Sequence, residues 1–175
     1  RGDLVRKVSI PKYTIVISST LSALINFCLN MVVVFIFMVI GHVEFTPKIL
    51  LAIPLIVELI IFCLGISFLL STLFVKFKDI GHIWDVILQV LFYATPIIYS
   101  LAIVPPKFAK LMSLNPLTQI IQDMRWAMIT PSTLTTQQVF NSQWGRILPI
   151  LATFVLLLLA ALYFRRNSKN FAEEL

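Results

Sequence analysis

The chain has 175 residues, of which 59% are hydrophobic and only 13% charged, and its mean hydropathy is +0.95. A soluble domain carries about 25% charged residues, so the composition excludes a water-soluble fold and implies a membrane protein. The net charge of +6 does not point to nucleic acid, because the bases cluster at the ends of apolar runs, where lipid headgroups and membrane orientation account for them.

The first segment, 3–13, is short and amphipathic. Leu4, Val5, Val8 and Ile10 are interleaved with Arg6, Lys7 and Lys12, and Pro11 ends a short helix. Such a segment is either a membrane-surface helix anchored by its bases or a cytoplasmic helix that docks on a partner protein. The chain opens on Arg1 and shows no pattern of basic start, short apolar core and small-residue cleavage site. It reads as the C-terminal part of a longer protein.

Four apolar runs follow, at 15–40, 49–75, 80–104 and 147–164. Each is long enough for the roughly 20 helical residues that cross a hydrocarbon core of about 30 Å. The expected fold is an all-α membrane protein with four transmembrane helices. Pro47 and Pro54 mark the start of the second run, and Pro105-Pro106 ends the third.

The first run carries Ser18, Ser22, Asn26 and Asn30, spaced by four and so on one helix face. In lipid that stripe must face protein or water. It is either glue between packed helices or a wall of a polar conduit. Cys28 and Cys63 lie inside apolar runs and are expected to be small buried hydrophobes, not a disulfide or metal pair. Glu58 falls near mid-membrane in the second run, where a charge costs about 2.5–3.5 kcal/mol. It is expected to be neutral or paired in the bundle interior; a proton relay would need a chain of partners that the sequence lacks.

Lys76-Phe77-Lys78-Asp79-Ile80 is a charged hinge between the second and third runs. The third run places Asp85, Gln89, Tyr93, Pro96 and Ser100 on one face, with Tyr99 beside them. Tyr93 and Tyr99 can stack on sugar rings while their hydroxyls stay hydrogen-bonded. Pro96 is expected to kink the helix and free carbonyls to face a cavity. The competing reading is a kinked packing helix with ordinary interfacial tyrosines. This run is the best candidate for a pathway-lining helix.

The segment 105–146 contains one further helical pattern. Asn115 is a good N-cap and Pro116 suits the first helical position. Leu117, Ile120, Ile121, Met124 and Met128 share one face, with Gln119, Gln122, Asp123 and Arg125 off it. The pattern predicts a helix lying in, or dipping into, the outer interface and ending at Thr130-Pro131-Ser132-Thr133. Trp126 and Trp144 suit headgroup depth.

Orientation follows from Lys and Arg near the ends of the runs. Arg1, Arg6, Lys7, Lys12, Lys76, Lys78, Arg165, Arg166 and Lys169 fall on one side; Lys48, Lys107, Lys110, Arg125 and Arg146 fall on the other. The richer side is expected to be cytoplasmic, with both chain ends and the 76–79 hinge inside.

Enzyme signatures are absent. The five glycines are too scattered for a phosphate-binding loop, and no HExxH or GxSxG occurs. His42 and His82 are isolated and fall on opposite sides of the membrane, so no metal site is expected.

In order along the chain stand Leu4-Val5-Arg6-Lys7 with Ile10-Pro11, Phe77-Lys78-Asp79-Ile80, Thr95-Pro96-Ile97-Ile98-Tyr99, Asn115-Pro116 and the tail Phe171-Ala172-Glu173-Glu174-Leu175. In these pieces and their spacing the chain resembles the permease subunits of type-2 ABC exporters of cell-surface polysaccharides, among them O-antigen, capsule and teichoic-acid exporters. The resemblance implies the last four of six crossings. It implies that Leu4, Val5, Arg6 and Lys7 lie on a coupling helix that docks on an ATPase subunit, with Lys78 and Asp79 at a second contact. It implies a homodimer of permeases in membrane lipid, with a lipid-linked glycan as substrate. It further implies ATP and Mg on the ATPase subunit and no cofactor on this chain. Asp85, Gln89, Tyr93, Pro96 and Tyr99 would then line the pathway, and Asn115, Pro116 and Trp126 would belong to an outer gate.

Two other readings remain open on the residues alone. One is a proton-coupled secondary transporter using Glu58 and Asp85. The other is a membrane-embedded glycan or lipid enzyme, which would need clustered acidic or His residues at one membrane face. A related permease for drugs or lipids is also compatible with the pattern.

Overall fold

The computed structural model describes residues 12–77 and 79–167. Among these the secondary structure is entirely helical. Helix α1 spans Lys12–Ile40 and α2 spans Ala52–Lys76, entered through a 3-10 turn at Pro47–Leu51. Helix α3 is Ile80–Ala94, followed by a 3-10 turn at Leu101–Ile103. Three short helices, α4 (Pro106–Ser113), α5 (Pro116–Met128) and α6 (Thr136–Phe140), lead into α7, Trp144–Asn167.

Three of these elements are long and apolar enough to cross a membrane: Tyr13–Ile40, Pro47–Lys76 and Trp144–Asn167. They form a bundle with α2 in the middle, α1 antiparallel to it and α7 parallel to it. At one end Val16, from the start of α1, packs on Phe164 from the end of α7 and on Phe68 and Val75 of α2; the Phe68 and Phe164 rings are 5.1 Å apart. At the other end Met38, Ala52, Ala127 and Met128 form a second cluster. Both ends of the described chain and residue 77 therefore lie at one end of the bundle. The 41–48 connection and α5 lie at the opposite end.

The α2–α7 contact is the closest in the bundle. A Cβ on Gly65 would stand 3.1 Å from the Leu157 backbone nitrogen and 3.2 Å from its Cα. Small residues at such crossings let helix backbones approach, which is how membrane helices gain packing energy without a hydrophobic drive. Thr72 and Thr153, both fully buried, turn their hydroxyls back to Phe68 and Pro149 carbonyls, at 3.0 and 3.2 Å. That removes their polar atoms from the apolar seam.

The third apolar run departs from the expected continuous crossing over 80–104. Helix α3 stops at Ala94 after 15 residues, about 22 Å at 1.5 Å per residue. Thr95 is extended, at φ −102° and ψ 130°. Pro96 enforces this, because its ring disfavours helical geometry in the residue before it. A stop thus replaces the expected kink. Cys28 and Cys63 are free thiols, as expected, but both lie on exposed positions of α1 and α2 and not on buried ones.

Replacing Gly65 by Val forces apart the α2 and α7 backbones. The expected loss is about 1–3 kcal/mol, the usual cost of overpacking. Steric-trap or denaturant unfolding of the purified protein measures it, and an unchanged stability would contradict the seam assigned here.

Candidate functional site

The site is the end of the bundle that holds the 41–48 connection, where the stop after α3 meets α5. Ending a helix within an apolar run orphans carbonyls that lipid cannot satisfy. Here α5 supplies the donors. Arg125 donates from Nη1 to the Pro96 carbonyl at 2.9 Å and from Nη2 to the Ile97 carbonyl. Gln122 Nε2 adds a longer contact to the Pro96 carbonyl at 3.5 Å. The freed carbonyls therefore face side chains of α5 rather than a cavity.

The two apolar-run motifs also meet directly. Asn115 accepts from the Leu117 backbone N–H at 3.1 Å, capping α5, and its Nδ2 donates to the Thr95 hydroxyl at 3.1 Å. The Tyr99 hydroxyl donates to the Tyr93 carbonyl at 2.7 Å and lies 3.6 Å from Met112 Sδ on α4. Pro96 is fully buried, and Pro116 occupies the first turn of α5. Trp126 is half-buried, with Lys48 Nζ 4.6 Å from its ring centre, a cation–π contact.

Helix α5 is held from its other side. It packs on α2, the 47–51 turn, α4, α6 and α7. Its polar residues are its most buried ones: Gln119 is 0%, Gln122 1% and Asp123 1% exposed. Gln119 Nε2 and Arg146 Nε each donate to Asp123 Oδ2 at 3.0 Å. Arg146 sits at the start of α7, where Gly145 allows α6 to approach: a Cβ there would stand 2.5 Å from the Thr136 carbonyl. Helix α6 is closed by a reciprocal capping pair, Thr135 with Gln138.

The remaining expected site residues divide cleanly. Asp85, Gln89 and Tyr93 share one face of α3 and are exposed, Tyr93 at 72%. The less exposed positions of α3 instead include Ile80, Gly81, Trp84 and Leu91, and Gly81 lies against Phe74 of α2. The Asp85 and Gln89 side chains find no hydrogen-bond partner among the described residues. The α1 stripe behaves likewise. Val16, Thr20, Leu24, Phe27, Met31 and Met38 form the packed face, while Ser18, Ser22, Asn26 and Asn30 are exposed. Ser22 and Asn30 return their donors to the Ser18 and Asn26 carbonyls, at 3.0 and 2.9 Å. Asp79 is exposed at the start of α3 and makes no side-chain cap bond. Leu4, Val5, Arg6, Lys7 and Lys78 lie outside the described residues.

The sequence reading did not single out Arg125, Gln122 or the Asp123–Arg146 pair as a structural unit. A signal was present: Gln119, Gln122, Asp123 and Trp126 recur at three- and four-residue spacing, which is one helix face. No group of three His, Cys, Asp or Glu able to hold a metal occurs among the described residues. What the arrangement offers is two polar surfaces turned away from the bundle and a hydrogen-bonded plug at one of its ends.

Residues 1–129 match the family model for the ABC-2 type transporter. The chain belongs to that family. It is similar to an O-antigen export system permease protein RfbA of Klebsiella pneumoniae, 28% identical over 173 residues that cover 98% of this chain and 64% of the relative. A second protein of that name from the same organism is 28% identical over 125 residues, covering 71% of this chain and 48% of the relative. One from Myxococcus xanthus is 27% identical over 124 residues, covering 69% and 47%. The chain thus spans between about half and two thirds of the length of the curated relatives it matches. Membership of the ABC-2 family fits the multi-pass helical bundle and places the broken α3 and the plug inside a transporter membrane domain.

Arg125→Ala leaves the Pro96 and Ile97 carbonyls without their charged donor, at roughly 1–3 kcal/mol per orphaned group. The variant is expected to unfold earlier in detergent and to be cut faster by protease between residues 95 and 103. Arg125→Lys should restore only part of the loss, because an ammonium lacks the planar fork that spans two acceptors. Wild-type stability in the Ala variant would show that α5 does not hold the stop.

Proposed function

We propose that this chain is the membrane permease part of an ATP-driven exporter that moves lipid-linked cell-surface polysaccharide across the cytoplasmic membrane. The observation that carries the reading is the pair of polar stripes, on α1 and α3, that turn away from the chain's own bundle. In hydrocarbon such stripes need protein or water opposite them. A second copy of the permease would supply that, so that the two chains enclose a pathway between them. O-antigen permeases among the relatives support a glycan cargo, and teichoic acid is chemically close to it.

In this mechanism Asp85, Gln89 and Tyr93 wall the pathway and offer hydrogen bonds and an aromatic face to sugar rings. Asn115, Pro116 and Trp126 form the outer gate; Pro96 and Tyr99, expected on the pathway wall, join it in this proposal because Pro96 is buried and Tyr99 lies against Met112. With the bases counted above, the bundle end that holds residue 77 and both ends of the described chain is cytoplasmic. ATP and Mg act on a separate ATPase subunit. That subunit docks on the 3–13 segment, through Leu4, Val5, Arg6 and Lys7, and at Lys78 and Asp79. Arg6, Lys7, Lys76 and Lys78 give the cytoplasmic mouth a positive field that attracts the pyrophosphate of the carrier lipid.

Two outcomes test this. Asp85→Leu with Gln89→Leu should lower export at least about tenfold, a change of about 1.4 kcal/mol, with the protein still inserted at its normal level. Reversing Arg6 and Lys7 to Glu should leave the ATPase subunit hydrolysing ATP without export. Unchanged export in the first variant would remove the pathway assignment; unchanged export in the second would remove the docking helix.

A further inference from the structure

We propose that the cavity between α2, α5 and α7 binds a membrane amphiphile through a primary ammonium group, the headgroup chemistry of an aminophospholipid. The inference does not rest on the export reading. The cavity has a volume of about 470 Å³. Val57, Ile61, Ile150 and Phe154 give it an apolar wall, while Glu58, Gln119, Asp123 and Arg146 converge on it from three helices.

The polar atoms that line the cavity lack a donor group. Glu58 is 7% exposed and Asp123 1% exposed. Glu58 Oε1, Gln119 Oε1 and Asp123 Oδ1 are all buried and all lack a donor. The donors at hand are spent elsewhere, since Gln119 Nε2 and Arg146 Nε both serve the other oxygen of Asp123. Three buried acceptors without a donor are costly. Asp123 is paired with Arg146, which leaves the Glu58 carboxyl without a cationic partner of its own.

A primary ammonium answers both deficits, with three N–H donors on one positive centre. Water supplies donors without charge, and a quaternary ammonium supplies charge without donors. Arg146 completes the match. Its terminal nitrogens carry no hydrogen bond among the described residues, and its side chain is 38% exposed. It also lines an adjoining polar cavity with Gln138 and Asn141. There it is placed to take the phosphate of the same headgroup. The tail has a route out: Val57 and Phe154 on the cavity wall are each 50% exposed, and both belong to membrane-spanning helices.

The test uses the full-length protein reconstituted in vesicles of equal parts phosphatidylethanolamine, phosphatidylcholine and phosphatidylglycerol. The protein is then re-extracted and its retained lipid identified by mass spectrometry. The wild type should favour phosphatidylethanolamine over phosphatidylcholine about tenfold, and Glu58→Gln should reduce that preference to less than about threefold. Soluble phosphoethanolamine should not displace the lipid, because it lacks the tail. Equal retention of ethanolamine and choline lipids by the wild type overturns the proposal, and this comparison needs no variant to fold. So does retention of phosphatidylglycerol as strongly as phosphatidylethanolamine, or an unchanged preference in Glu58→Gln. Displacement by phosphoethanolamine would overturn the lipid as the source of the amine.

Discussion

The architecture of the bundle end that holds α5 depends on the two hydrogen bonds that Arg125 makes to the Pro96 and Ile97 carbonyls. A helix that stops after about 22 Å leaves irregular backbone at membrane depth, and such backbone persists only where protein or water satisfies it. The donor therefore has to be carried in on a separate element. That requirement explains why α5 is sunk among α2, α4, α6 and α7 and does not float in the headgroup layer. It also explains the second set of bonds on the same helix. Asn115 fixes one end of α5 to Thr95, and Asp123 fixes its middle to Arg146, so the guanidinium is aimed and not merely nearby.

This arrangement divides the molecule mechanically. Helices α1, α2 and α7 share apolar clusters at both ends and a backbone-close seam at Gly65. Helix α3 has no buried residue. It is attached through its contact with α2, through the hinge before Ile80 and through the plug after Ala94. A helix held chiefly at its ends can shift as a rod with little repacking, which suits hinge- or shear-type motion. In the proposed exporter, movement imposed at the hinge by an ATPase subunit would reach the plug along α3. The hydrogen bonds of Arg125, Asn115 and Tyr99 are the ones that such a movement loads.

How much of this was legible in the sequence varied with the range of the interaction. Apolar run length located the three long helices closely, because spanning helices are dictated by local composition. The Asn115-Pro116 start of α5 was legible for the same reason: a cap is a contact over two or three residues. Pro96 announced a disturbance, yet whether it kinks or ends a helix depends on Arg125, 29 positions further on, and no local pattern reports that. The burial of Gln119, Gln122 and Asp123 was hidden because polar residues beside an apolar face are ordinarily read as its solvent side. Arg146, brought in by α7, and the Pro96 carbonyl make their interior position tolerable. The α1 stripe was visible as a stripe, but its direction became clear only once Val16, Thr20, Phe27 and Met31 were seen to form the packed face.

The polar residues of this membrane domain fall into two populations, and the difference between them carries the functional argument. One population is turned inward and largely hydrogen-bonded: Thr95, Asn115, Gln122, Arg125, Asp123 and Arg146 hold backbone and helices in place. Thr95, Asn115, Gln122 and Arg125 are accounted for by the fold alone. The other population, Ser18, Ser22, Asn26 and Asn30 on α1 and Asp85, Gln89 and Tyr93 on α3, is turned outward and contributes little to packing within the chain. Since polar groups facing hydrocarbon are costly, outward residues that stabilise nothing internally must be answered by something beyond the chain. In the proposed exporter, a second permease copy with a hydrated path between them meets that need.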